Sequence, residues 1–317
     1  MSFNELKLPL QIERYGDESG VGYCLRAIVG NGANLHALRR LVGMRAVERF
    51  GSHHAKVLGR VFQQSADWFE NTLPSVERTK PFQIDFYGHR WFSRNCLRIS
   101  NPQVCVRCIH SKGYCRAIWD VSVATVCLEH QCRLSDCCGQ CGQALRWDRP
   151  RIDYGHCGHL LTTALSVEVH PSLFELQEML EWKFSTPSKR ININGHLSFL
   201  SDLSLSAIHT LILSFGLRKK PLEVLHSTVR TKAYRCAEWT AVIERALERL
   251  LLLHSGNSEP SQLSDWVSDN LLEHVALNHY STHDQHYAVE LLEKLFDIQL
   301  ASGFGSRLGQ LSQLKLF

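Results

Sequence analysis

Two short residue pairs carry the clearest chemistry in this 317-residue chain: Cys105-Val-Arg-Cys108 and Cys127-Leu-Glu-His130, with eighteen residues between them. Ligands three apart sit on one tight turn and point at one ion, and a second turn from a distant hairpin completes a tetrahedron. Thiolates with a neutral imidazole form the soft and borderline donor set that zinc prefers over oxygen. The β-branched stretch 121–126 (VSVATV) is expected to deliver the second pair as the end of a strand. A third pair, Cys138-Gly-Gln-Cys141, is followed by Gly. Its partner half should lie some fifteen residues on, where only Cys157 stands, within Gly155-His156-Cys157-Gly158-His159. The spacing therefore predicts a second zinc on Cys138, Cys141, Cys157 and His159, with His156 or Cys137 as alternative fourth donors. Cys115 and Cys132 have no partner at ligand spacing and are left out of both sets.

Cysteine usage supports metal rather than disulfides. Eight of the twelve cysteines lie between Cys105 and Cys141, Cys157 follows shortly after, and only Cys24, Cys96 and Cys236 stand apart, as small buried hydrophobes would. The start, MSFNELKLPLQIERYG, lacks a basic segment followed by an apolar run, and no apolar run approaches the ~20 residues that span a bilayer. A cytoplasmic, bacterial setting is expected, where clustered cysteines point to metal or redox chemistry. The first set is filled by three thiolates and an imidazole, so its metal is expected to be structural. It would contribute on the order of 10 kcal/mol to folding a module with little core.

Enzymatic signatures are missing from the sequence. There is no HExxH, no HxE before a PCxxC, no phosphate loop, no GxSxG and no dinucleotide-binding glycine fingerprint. The acidic residues form no evident triad, and His53, His54, His279, His283 and His286 have no convincing partners. The reading is non-enzymatic.

The elements that must position these residues follow from periodicity. Helical spacing predicts helices over 17–31, 34–43, 44–51 and 55–72, a set of short helices with Gly connections that suits a helix-turn-helix-like module. Residues 75–100 read as irregular. Helices are then expected over 172–184, 197–216, 221–231, 234–254, 261–279, 284–300 and 306–316. The stretch 238–254 is the clearest amphipathic one, with Leu247, Leu250, Leu251 and Leu253 opposite a charged face. The expected fold is mainly α with a small β-containing zinc-ribbon module. Its parts are an N-terminal helical region (1–100), the zinc ribbons (101–165) and a C-terminal helical domain (166–317). Charge divides unevenly. Residues 1–160 hold 21 Lys and Arg against 14 Asp and Glu, and the remainder 14 against 17. An arginine-rich half fits either an ordinary solvated surface or a nucleic-acid face. Arg39, Arg40, Arg45 and Arg49 are the candidates for a phosphate backbone.

Two stretches resemble the TniQ family. One is Asp17-Glu18-Ser19 through Arg26, with Asn31-Gly32. The other is the order Cys105-x2-Cys108, Tyr114, Arg116, Trp119, Cys127-x2-His130, Leu134, Cys138-x2-Cys141-Gly and Leu145. The departure is at Gly155, where the family usually supplies a cysteine. The resemblance implies an adaptor in DNA transposition that brings a TnsC-like AAA+ ATPase to the target DNA. At this length it further implies partnership with a CRISPR Cascade effector and its guide RNA, on which such proteins often sit as a homodimer. The competing expectation is a sequence-specific DNA-binding target selector that acts without a guide RNA.

Overall fold

The computed structural model describes residues 7–45, 48–76, 83–92, 94–162, 169–185, 195–217, 235–256, 259–278 and 280–296. It is mainly helical, with small antiparallel strand pairs beside two cysteine clusters. The chain divides into two units. The first comprises Met1–Lys189 and Thr231–Trp239, and the second Arg190–Arg230 and Thr240–Phe317. The described N-terminal helices and the cysteine region lie within the first of these units.

In the first unit, α1 (Gly20–Gly30) starts at Ser19, whose hydroxyl accepts from the Gly22 amide at 3.3 Å. At its far end the Asn31 side chain donates to the carbonyls of Ala27 and Leu10. Asn34 caps α2 (Leu35–Leu41) in the same manner. The 55–72 stretch is two helices, α3 (Ala55–Phe62) and α4 (Ala66–Thr72). The break falls at Gln63, which takes a left-handed φ of 55° and ends α3 while the Gln64 amide donates to the Gly59 carbonyl. Tyr23 of α1 is fully buried among Phe62, Trp68 and Phe69, at ring separations of 5.2 to 5.9 Å. The helix expected over 44–51 does not form at 44–45 or 48–51. The Arg39 guanidinium donates to the carbonyls of Arg45 and Glu48 there, and the Glu48 carboxylate accepts from the Arg45 amide.

Residues read as irregular hold an antiparallel sheet of β1 (Ser75–Val76), β2 (Ile84–Phe86) and β3 (His89–Trp91). Its β2–β3 hairpin turns on Tyr87-Gly88, both with positive φ, the two-residue turn that matches strand twist. Ile84, Phe86 and Trp91 face inward and Arg90 outward, a period-2 pattern three residues long on each side of the turn. After α5 (Val106–Lys112), the two-residue strands β4 (Val126–Cys127) and β5 (Cys132–Arg133) pair, and α6 (Pro171–Ser185) packs on β4. The β-branched stretch therefore contributes only its last residue to a strand.

In the second unit, α7 (Leu205–Gly216) is buried along its whole length. Ser204 caps it, and this cap separates α7 from a single 3-10 turn at Ser198–Leu200. The predicted amphipathic helix is α8 (Cys236–Ser255), with Leu247, Leu250 and Leu253 buried. Its first turn, through Trp239, is grouped with the first unit, where the Cys236 amide donates to Asp136 at 2.7 Å. The 261–279 stretch is α9 (Pro260–Ser264) and α10 (Asp269–Leu277), and α11 runs Thr282–Phe296. The α7 hydroxyls secure the bundle: Thr210 meets Tyr280 at 3.0 Å and Ser214 donates to the Ser268 carbonyl at 2.8 Å. The helices expected over 221–231 and 306–316 lie outside the described residues. No helix among the described residues is long and apolar enough to cross a membrane.

Candidate metal centre

Cys105 immediately precedes α5 and Cys108 lies within it, so the two thiols share one helix face. Cys127 closes β4, and His130 sits in the turn that leads to β5, where Gln131 takes a left-handed φ of 43°. One donor atom from each of Cys105, Cys108, Cys127 and His130 lies within 4.8 Å of every other. The Sγ atoms of Cys108 and Cys127 are 3.6 Å apart, and His130 Nδ1 is 3.1, 3.5 and 3.8 Å from the sulfurs of Cys108, Cys105 and Cys127. Zinc–sulfur and zinc–nitrogen bonds of about 2.3 and 2.0 Å at tetrahedral angles give edges of about 3.8 and 3.6 Å. The four donors already stand near those spacings. An ion pair between Lys112 of α5 and Glu129 of the hairpin turn clips the two halves together.

Packing thiols this closely couples their titrations, so that some are lowered at the expense of others. Hydrogen bonds from Cys105, Cys108 and Cys132 hold the Cys127 thiol well below its ordinary value. Interaction with Cys108 brings Cys105 down to about 7. The donors in these contacts, Cys108 and Cys132, are pushed up in turn. His130 is raised, although burial alone would lower it, because the sulfurs of Cys127 and Cys105 face its ring. Such a cluster holds protons where a divalent cation would replace them.

The second cluster joins Cys138, Cys141 and Cys157, whose sulfurs lie within 4.8 Å of one another, with 3.6 Å between Cys138 and Cys157. The expected fourth donor, His159, is not among them. It is exposed, and its carbonyl accepts from the Gly155 amide at 2.8 Å. The His156 side chain is exposed too, and neither it nor Cys137 joins the cluster. A Cβ on Gly155 would lie 2.7 Å from Cys138 Sγ and 3.3 Å from Cys157 Sγ, so this position abuts the cluster and is closed to any side chain at its present spacing.

A third group, Glu48, His53 and His54, was missed in the sequence because its members are not at a familiar ligand spacing. The Gly51 amide donates to His54 Nδ1 at 3.3 Å, so His54 Nε2 carries the proton and points it at Glu48 Oε1, also 3.3 Å away. His53 Nε2 approaches the same oxygen at 3.1 Å. The Arg45 amide, followed by His53, holds Glu48 down to about 2. A cation on His54 Nε2 would have to displace that proton while Nδ1 still accepts from Gly51. The group therefore acts as a hydrogen-bonded brace.

Asp17, Glu18 and Ser19 frame the first cluster. Asp17 accepts from Tyr114 and Arg116, each at 2.7 Å, and the Ser19 hydroxyl donates to Asp120 at 2.6 Å. Backbone bonds run from Ser19 N to the Cys115 carbonyl and from Ala117 N to the Asp17 carbonyl. Glu18 is fully buried, paired with Arg26 at 2.7 and 2.8 Å. Burial raises its carboxyl, and Arg26 opposes that rise. Arg116 reaches on to Glu181 of α6 at 2.7 Å. Of the four candidate phosphate contacts, Arg40, Arg45 and Arg49 are exposed, whereas Arg39 is half-buried and committed to two carbonyls.

Residues 9–134 match the TniQ family model, a stretch that takes in the Asp17–Ser19 frame and the whole first cluster but not the second. No curated protein matches the chain.

Proposed function

We propose that the chain, whose residues 9–134 match the TniQ family of transposition-associated target-selection proteins, is a non-catalytic adaptor in DNA transposition. In this reading it links a target-recognition complex, an RNA-guided Cascade-type effector, to a TnsC-like AAA+ ATPase. The cation is Zn2+, held by Cys105, Cys108, Cys127 and His130. Four protein donors leave no position for a reacting water, so the ion organises the fold. This closed donor set, built into the same unit as the N-terminal frame, is the observation that carries the reading. The second cluster offers three thiolates to another zinc.

Arg40, Arg45 and Arg49, each exposed, supply positive charge to a nucleic-acid partner. Replacing any one of them at a phosphate should lower the salt dependence of binding by about one unit.

Co-purification of the metal-loaded chain with a TnsC-like ATPase and an effector complex tests the assignment, alongside elemental analysis. The expected result is bound zinc and retention of both partners, with partner binding abolished by chelation. Tight binding of the chain alone to one short duplex, with no retention of either partner, would instead identify a direct DNA reader.

A further inference from the structure

The β4–β5 hairpin places Cys132 directly opposite Cys127 in register, so their side chains stand on the same face of the ladder. Cys132 Sγ lies 3.8 Å from Cys105 Sγ, the edge length expected of a tetrahedral four-sulfur site, about 3.8 Å. A fifth donor thus stands at the edge of the first cluster, against Cys105 but outside the four that gather within 4.8 Å of one another, and a tetrahedral cation uses four. His130 sits in the hairpin turn, and Cys132 follows it by two residues at the start of β5. The two enter the cluster from the same short hairpin, so exchanging one for the other asks only the turn to adjust. Neither α5 nor the Cys127 strand need move.

We propose that Cys132 is a reserve ligand of the first centre, able to take the place of His130 so that a thiophilic divalent cation is held by four thiolates. The inference rests on the metal-site reading above and adds a donor that the spacing of the pairs does not reveal. Exchange replaces a neutral imidazole with a thiolate and makes the complex more negative by one charge. Lys112, already paired with Glu129 across the two halves, and Arg133, next along β5, lie beside the change.

The test uses the full chain with Cys141→Ser, which removes a thiolate from the second cluster and leaves the first as the main site. Cobalt(II) is bound in the absence of zinc, and the sulfur-to-cobalt charge-transfer band is read in four versions: parent, His130→Gln, Cys132→Ala and the double variant. The parent and Cys132→Ala should show the same three-sulfur spectrum and equal affinity. His130→Gln should fold and keep cobalt within about tenfold of the parent, with a band about one third more intense, four sulfurs in place of three. The double variant should bind cobalt about 100-fold or more weakly. The inference is overturned if His130→Gln loses cobalt or fails to fold as completely as the double variant. It is equally overturned if Cys132→Ala alone abolishes binding, since Cys132 would then be a resident ligand. A parent chain that binds no cobalt at this site would instead defeat the underlying metal-site reading.

Discussion

Replacing Arg116 should destabilise the first unit without touching the metal ligands, and the structure sets the size of the effect. The guanidinium makes three charge-assisted bonds: Nε to Asp17 at 2.7 Å, and Nη1 and Nη2 to the two oxygens of Glu181 at 3.1 and 2.7 Å. Arg116 and Glu181 side chains are 20% and 15% exposed, whereas Asp17 is 47% exposed. The Asp17 contact therefore behaves as a surface pair worth about 0.5 kcal/mol. The fork to Glu181 is shielded, and removing its cation leaves a carboxylate little exposed to water, at a cost of about 3 kcal/mol. Arg116→Ala should thus cost about 3 kcal/mol, which for a unit of this size lowers the melting temperature by roughly 6–12 °C. Arg116→Lys keeps the charge but loses the planar fork, and should recover only about 1 kcal/mol. Urea midpoints of the zinc-loaded chain, followed by tryptophan fluorescence, measure both values, with bound zinc checked in parallel. A loss under about 1 kcal/mol for alanine, or full recovery by lysine, would refute the claim that this residue is a structural brace.

Three further outcomes follow from other contacts. Burial pushes Asp120 up to about 7, against the pull of the Ser19 hydroxyl. The folded state then binds its proton more tightly than the unfolded chain does, so this group costs stability increasingly from about pH 4 to 7 and levels off above. The stability of Asp120→Asn relative to the parent should rise between pH 5 and 7 and stay flat beyond pH 8, read from urea midpoints at each pH. Gly155→Ala forces a Cβ to within 2.7 Å of Cys138 Sγ, so that sulfur must move. Elemental analysis should show the second-cluster metal absent and the first retained. Gly216→Ala sets a Cβ 2.2 Å from the Val242 carbonyl within the second unit. It should cost at least ~2 kcal/mol, seen as earlier loss of hydrogen-exchange protection in α7 and α8 than in α1.

How far the site could be read from the sequence depended on how local its geometry is. The pairs Cys105/Cys108 and Cys127/His130 were legible because a three-residue step fixes two donors on one turn whatever surrounds it. Cys132 was not, since its approach to Cys105 depends on a hairpin register that places it across from Cys127. His159 has suitable spacing, yet its ring is not among the donors gathered with Cys138, Cys141 and Cys157, a placement that spacing alone does not decide. Arg39 belonged to a basic run but turns inward to hold carbonyls, a distinction that charge counting cannot make. The β2–β3 hairpin was not legible, because strands of three residues give too few alternations to stand out from a loop.

The two stretches that carry the family resemblance, about ninety residues apart in sequence, are in physical terms one contact. Asp17 binds Tyr114 and Arg116, Ser19 binds Cys115 and Asp120, and Cys105 and Cys108 lie at the start of the helix just before these partners. Selection acting on that contact would retain both stretches together, without either touching a partner molecule. It follows that substitutions within Asp17–Ser19 should act through the stability of the cysteine module, and that assays of partner binding should be read against its metal content. A surface that chooses partners has to be sought among exposed residues outside this contact, and Arg40, Arg45 and Arg49 are the first of those to examine.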